Sequence, residues 1–332
     1  MGTDAVSAHL DRAWELLAQG DLKGARASAR RVLQLEGDSP EAHNLLGQVD
    51  AQEGEVDGAM EHYRTAMALD DGYPDPFLNA ADLLIFPIRD YEGAIELCDE
   101  VLEFVDTPEE VVDAMLLKFD ALLAKGDDES ARRLLEALPE GPYEHPMQSY
   151  LVGRAYFETG DAERAEAHIQ EAARAEPDNP DPQYYLALVR EKKDDWRGAA
   201  EAFLRCRNLD RELPPPPWSL PPEQFQRLVG RALEALDPAH ARHLEGALVV
   251  VDAQPGVEVV ADGVDPRLGV LVEGLGDPER PPRVFVYQRN VERACGGVEE
   301  IDDELRHQLT DEIEHLTTHA VTPRPPPVAR RA

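Results

Sequence analysis

The sequence predicts an all-α solenoid of short repeats followed by a small α+β domain. Three observations carry this. A Gly–Ala–Ala spacing recurs along the first two-thirds of the 332 residues, six prolines fall within residues 214–222, and runs of β-branched residues follow them.

The spacing Gly54, Ala59, Ala66 returns as Gly160, Ala165, Ala172, and each set leads into a Pro-Asp-Pro step. Small residues of this kind stand where two helices cross closely, and glycine stands where the turn between them needs a positive φ. A single helix pair cannot bury its apolar face, so copies must stack. Six copies are expected, at 6–39, 40–73, 74–111, 112–145, 146–179 and 180–213. The copy at 146–179 carries Gly153, Tyr156, Gly160, Ala165, Ala172 and Pro177, and that at 40–73 carries Leu46, Gly47, Gly54, Ala59, Tyr63 and Ala66. The copy at 180–213 keeps Leu186, Ala187, Ala199 and Phe203. The others keep Gly20/Ala25, Tyr91/Ala94 and Gly126/Ala131, with Pro87 expected to distort one helix end. Cys98 and Cys206 fall at small-residue positions of the second helices and are expected in the core.

This pattern resembles the tetratricopeptide repeat, a 34-residue helix-turn-helix unit. The resemblance implies a protein–protein interaction scaffold whose first helices line a peptide groove. Carried onto this sequence, the groove residues are Asn44, Gln48 and Gln52, then Tyr150, Arg154 and Phe157, then Tyr184. Asparagine can clamp an extended backbone, and tyrosine and phenylalanine supply rigid apolar contacts. The other reading of the aromatics is packing between repeats.

Residues 1–213 are thus assigned to the solenoid and 214–222 to a linker, since consecutive prolines end a helix and favour a stiff spacer. Trp218 is placed to anchor that spacer. From 223 to 320 the order is one helix near 222–236, strands near 246–253, 268–274 and 283–289, and a last helix near 302–319. The tail from 321 is proline-rich and basic, and is expected to be disordered.

The stretches "LGVLVEG", "PPRVFVYQRNVERAC" and "ELRHQLTDEIEHL" are similar to the minimal zincin-like metallopeptidase family. That family's helix carries His-Glu-x-x-His: two histidines on one face ligate zinc and the glutamate is general base. Here the five positions read Asp311, Glu312, Ile313, Glu314, His315. The resemblance places the base at Glu312 and metal ligands at Asp311 and His315, with His319 a further candidate. Thr318 and Val321 stand where the family has a turning glycine and a third ligand. Two of three ligand positions have changed, so a catalytically impaired domain with no cofactor is expected. The alternative is an active zinc peptidase using Asp311, His315 and Glu312, with the solenoid recruiting substrate. An ordinary exposed helix face would also carry such charges.

The net charge of −34 excludes a nucleic-acid backbone and an anionic membrane surface as partners and favours a basic or neutral protein or peptide. The three cysteines form no CxxC pair, no basic-then-apolar leader opens the chain, and no apolar run reaches a membrane span. A cytoplasmic protein is expected. Arginine in excess of lysine, with abundant alanine and proline, points to a GC-rich bacterial genome.

Overall fold

In the computed structural model, residues 2–143, 145–276 and 280–318 are described. The chain divides into two compact units, Met1–Ala172 and Ala173–Ala332, one helix pair upstream of the proline stretch.

The first unit is a succession of helix pairs: α1 (Gly2–Ala18) with α2 (Leu22–Leu35), α3 (Pro40–Gln52) with α4 (Val56–Leu69), α5 (Pro74–Leu83) with α6 (Tyr91–Phe104), α7 (Pro108–Lys125) with α8 (Asp128–Leu135), and α9 (Pro146–Glu158) with α10 (Ala162–Ala175), whose last turn crosses the division. Local chemistry sets these boundaries. The first helices of five pairs, the sixth included, begin on proline, at residues 40, 74, 108, 146 and 180. At that position the missing N–H costs nothing and the fixed φ suits the helix. Most second helices begin after an aspartate whose carboxylate accepts a backbone N–H, as Asp21 does from Gly24, Asp90 from Gly93 and Asp127 from Ser130; α4 begins after Glu55, which makes no such bond.

These prolines correct one boundary. Pro40, Pro74 and Pro108 stand 34 residues apart, whereas Pro108 and Pro146 stand 38 apart. The fourth copy therefore starts at 108 and not at 112, and it holds the extra residues in α7, which is 18 residues long against 13 for α3. Pro87 sits inside a π-helical turn, Leu84–Ile88, that ends α5 as expected of a residue without an N–H.

The small residues make close crossings. A Cβ on Gly153 would lie 3.0 Å from the Ile169 nitrogen and 3.2 Å from the Ala165 carbonyl oxygen, so α9 and α10 touch backbone to backbone there. The turns before the second helices carry Gly20, Gly54, Gly126 and Gly160 at positive φ, but the third copy has Arg89 at 62° and the sixth has Asp194 at 60°. Cys98 and Cys206 are fully buried, and burial pushes each thiol up to about 12, as core packing requires.

The second unit opens with the sixth pair, α11 (Pro180–Lys192) and α12 (Trp196–Glu212). Then come α13 (Pro222–Glu234), the short α14 (Pro238–Ala241), β1 (Leu248–Asp252), α15 (Val257–Ala261), β2 (Val270–Glu273), β3 (Arg283–Tyr287), α16 (Gln288–Arg293) and α17 (Ile301–Thr318). The strand order is β1-β3-β2, with β1 parallel to β3 and β2 antiparallel to it. Ile301, Leu305, Leu309 and Ile313, one turn apart on α17, meet Phe225 and Val229 of α13, Val270 and Val272 of β2, and Val284 and Val286 of β3 in one core.

The proline stretch does not hang free. Trp218 and Leu220 pack on that core, and the fully buried Glu292 of α16 accepts hydrogen bonds from Ser219 Oγ (2.7 Å), the Leu220 nitrogen (3.0 Å) and Gln288 Nε2 (2.8 Å). Gln288 also donates to the Leu220 carbonyl at 2.7 Å. The spacer is a strap laid along α16. The tail expected to be disordered lies outside the described residues.

Candidate functional site

Among the expected groove residues, those of the first unit differ in what they offer. Asn44 is fully buried. Its Nδ2 donates to Tyr73 Oη at 2.9 Å and its Oδ1 accepts from Asn79 Nδ2 at 2.9 Å. It ties the second copy to the third through Asn79. Gln48 is half-buried and Gln52 exposed on the same helix. On α9, Tyr150 and Phe157 are half-buried, and Arg154 Nη2 donates to both oxygens of Asp120 at 2.6 and 2.7 Å.

The acidic partners of these residues escaped sequence reasoning. Asp75 and Asp82 lie two turns apart on α5, as Asp113 and Asp120 do on α7. Burial pushes Asp82 above the ordinary carboxylate range, and the charge of Asp120 adds to this. Burial likewise raises Asp113, and the Asp75 charge contributes to that rise. Gln148 Nε2 holds Asp113 at 2.8 Å. The signal was present as two Asp pairs seven residues apart, on the first helices of adjacent copies. Carboxylates raised by burial and mutual repulsion gain from a cation placed among them.

Tyr184, in the second unit, is half-buried. Its hydroxyl donates to Asp265 Oδ2 at 2.7 Å, and the Arg267 guanidinium lies 4.7 Å over its ring. Arg267 also donates to Asp181 at 2.5 Å and to Asp210 at 3.0 Å, and Arg293 donates to both oxygens of Asp210. Asp210 is buried; burial raises its pKa, but hydrogen bonds from Arg293 and Arg267 win and hold it below the ordinary range. The loop before β2 thus reaches the residue expected to line the groove in the sixth pair. Beside it a cleft of about 680 Å³ is lined by Glu176, Asp181, Leu213, Arg267 and Arg293 among others.

On α17 the zincin-like positions are spread out. Asp311 is exposed, and its Oδ2 lies 3.3 Å from His307 Nε2. Glu312 Oε1 accepts from the Val272 nitrogen of β2 at 3.2 Å. His315 is exposed, while His319 lies outside the described residues. Among the described residues no group of three His, Cys, Asp or Glu is arranged to hold a metal ion.

The sequence model of the tetratricopeptide repeat family matches residues 10–74 and 150–210. Within those segments the chain carries tetratricopeptide repeats. The two matched segments take in the first two and last two helix pairs; the Asp-bearing pairs between them continue the same architecture. A curated relative with such similarity is cellulose synthase operon protein C of Pseudomonas fluorescens, 25% identical over 216 residues, which are 60% of this chain and 16% of that protein. Among solved structures, Pseudomonas aeruginosa pilF is 19% identical with a TM-score of 0.52, covering 64% of this chain and 95% of its own. PilW, a widely conserved type IV pilus biogenesis factor, is 16% identical with a TM-score of 0.52, covering 63% and 94%. At these identities the likeness is one of fold. The segments matched by the family model lie within the helical pairs.

Proposed function

We propose that this chain is a protein-binding scaffold whose tetratricopeptide repeats take an extended protein segment carrying basic side chains. The repeat match over 10–74 and 150–210 is the observation that carries this. The partner's charge follows from Asp75, Asp82 and Asp113 on neighbouring first helices, Asp120 being paired with Arg154, and from a net charge of −34. Gln48, Gln52, Tyr150 and Phe157 supply polar and apolar contacts beside them. The test is selection of binders from a displayed peptide library on the whole chain, then titration of the winners. Lys- or Arg-bearing winners weakened at least tenfold by Asp82→Asn with Tyr150→Ala support the reading. Acidic winners, or winners indifferent to both changes, refute it.

In the same proposal the α+β part descends from a zincin-like domain and works without catalysis. Glu312 is engaged on the β2 backbone and Asp311 on His307, which leaves the family's base and first ligand otherwise occupied. Peptidase activity of purified protein, lost in Glu312→Gln and in chelator, would instead favour the active enzyme. We assign the chain to the cytoplasm; no helix among the described residues is long and apolar enough to cross a membrane.

A further inference from the structure

Two histidines of the second repeat face each other across α3 and α4. His43 Nδ1 and His62 Nδ1 are 3.2 Å apart, with ring centroids separated by 5.4 Å and ring planes tilted by 42°. Both side chains are half-buried, and that of His62 keeps 29% exposure. On the far side of His62, Nε2 lies 3.7 Å from Oδ2 of the buried Asp50. Asp50 is itself fixed by Arg26 Nη1 at 2.5 Å, and Arg26 is tied to Glu53 by a second contact of 2.5 Å.

The spacing has a chemical meaning. Zinc binds imidazole nitrogen at about 2.0–2.1 Å in a tetrahedral shell, so two ligand nitrogens stand about 3.3–3.4 Å apart. The observed separation matches that edge to within about 0.2 Å. Metal-binding histidines also present their second ring nitrogen to a carboxylate, which fixes the tautomer and raises ligand basicity. Asp50 lies 3.7 Å from His62 Nε2, outside direct hydrogen-bond reach, but its charge favours the proton on that nitrogen and leaves Nδ1 bare toward His43. Without an ion, one Nδ1–H must bridge to the other Nδ1; with an ion, His43 moves its proton to Nε2 and both Nδ1 lone pairs are free. The local field includes Asp38, Asp50 and Glu61 against Arg26 and Arg30.

We propose that His43 and His62 form a two-histidine site for a divalent transition metal of the imidazole-preferring class, zinc, nickel or copper, that staples α3 to α4. No third His, Cys, Asp or Glu completes the set among the described residues, so water fills the remaining positions. The staple acts on the helix that carries Asn44, Gln48 and Gln52, and so on the geometry of the second repeat. This site is separate from the C-terminal His307, Asp311 and His315, and it stands whether or not the groove reading does.

The experiment uses the whole chain stripped with chelator and titrated calorimetrically with zinc chloride. The wild type should bind one equivalent and gain thermal midpoint with zinc. His43→Gln and His62→Gln should each lose that equivalent and the zinc-dependent gain, while His315→Gln keeps both. A wild type that takes no zinc, or one whose zinc is lost only in His315→Gln, overturns the site. To remove dependence on variant folding, histidine-¹⁵N-labelled wild type is titrated in parallel. Zinc must shift the Nδ1 signals of two rings together, and failure of any such pair to move also overturns it.

Discussion

The Arg267 guanidinium lies 4.7 Å over the Tyr184 ring while binding Asp181 and Asp210, so a residue from the loop before β2 sits where the sixth repeat was expected to show an open aromatic. The first prediction concerns this network. Asp210 is buried between two arginines; removing it leaves Arg267 with Asp181 and takes from Arg293 both of its bonds to Asp210. Asp210→Ala should cost about 1–3 kcal/mol, the range for hydrogen bonds to charged groups lost from a partly buried network. Urea unfolding of the whole chain measures it. Tyr184→Ala should likewise lower stability and leave selected peptide ligands bound as before.

Arg89 occupies a left-handed turn that glycine holds in four other copies. A side chain there costs about 1 kcal/mol or more. Arg89→Gly should therefore raise the stability of the first unit by about 1 kcal/mol, less whatever the unfolded chain gains in freedom. Thermal unfolding checks the sign; a lower midpoint would show that Arg89 makes a compensating contact.

Gly153 lies against the backbone of α10. Gly153→Ala must push α9 and α10 apart and should cost about 1–3 kcal/mol, the range of overpacking changes. Gly230 has open space around its Cβ position, so Gly230→Ala on α13 is the control and should be neutral or stabilising.

His168 stacks on Tyr156 with centroids 5.7 Å apart, next to Tyr143, Glu171 and Arg164. Burial lowers its pKa; Glu171 opposes and Arg164 assists. The folded state thus binds the proton less readily than the unfolded chain does. Stability from this group is full above the ordinary imidazole range, falls as pH drops through it, and levels off once the folded value is passed. His168→Phe should flatten that slope in a series of denaturation curves between neutral and mildly acidic pH.

Glu292 accepts three hydrogen bonds that hold the proline strap. Glu292→Ala takes the acceptor from the Ser219 hydroxyl and the Leu220 nitrogen, while Gln288 keeps the Leu220 carbonyl, and should cost about 1–3 kcal/mol. Limited proteolysis should then cut near Trp218 or Leu220 faster than in the wild type.

Much of the helical architecture could be read from the sequence because it is local. Proline at a first turn, aspartate at a cap and glycine at a left-handed turn each act within a few residues, and the three strands follow from β-branched runs. The starting point at 108 was missed because α7 lengthens without losing its apolar period. Arg89 and Asp194 were missed because they fill a glycine's place. The site was less legible, since it depends on which copies meet. Asn44 reads as a ligand clamp, and the bonds of its amide to Tyr73 and Asn79 are not local. The bond of Tyr184 to Asp265, 81 positions later, leaves no local signal. The Asp75, Asp82, Asp113 and Asp120 array needed two helices brought side by side.

The sixth pair also fixes how the array can grow. Pro255 accepts from Arg207 Nε at 2.6 Å, α15 packs on α12, and the strap begins where α12 ends. A seventh unit joined after Glu212 would find its docking surface taken. A duplication between Leu69 and Pro74 would meet a neighbour on either side built to the same 34-residue register. Gene duplication or engineering can therefore lengthen this protein from within, and its C-terminal end is closed to further units.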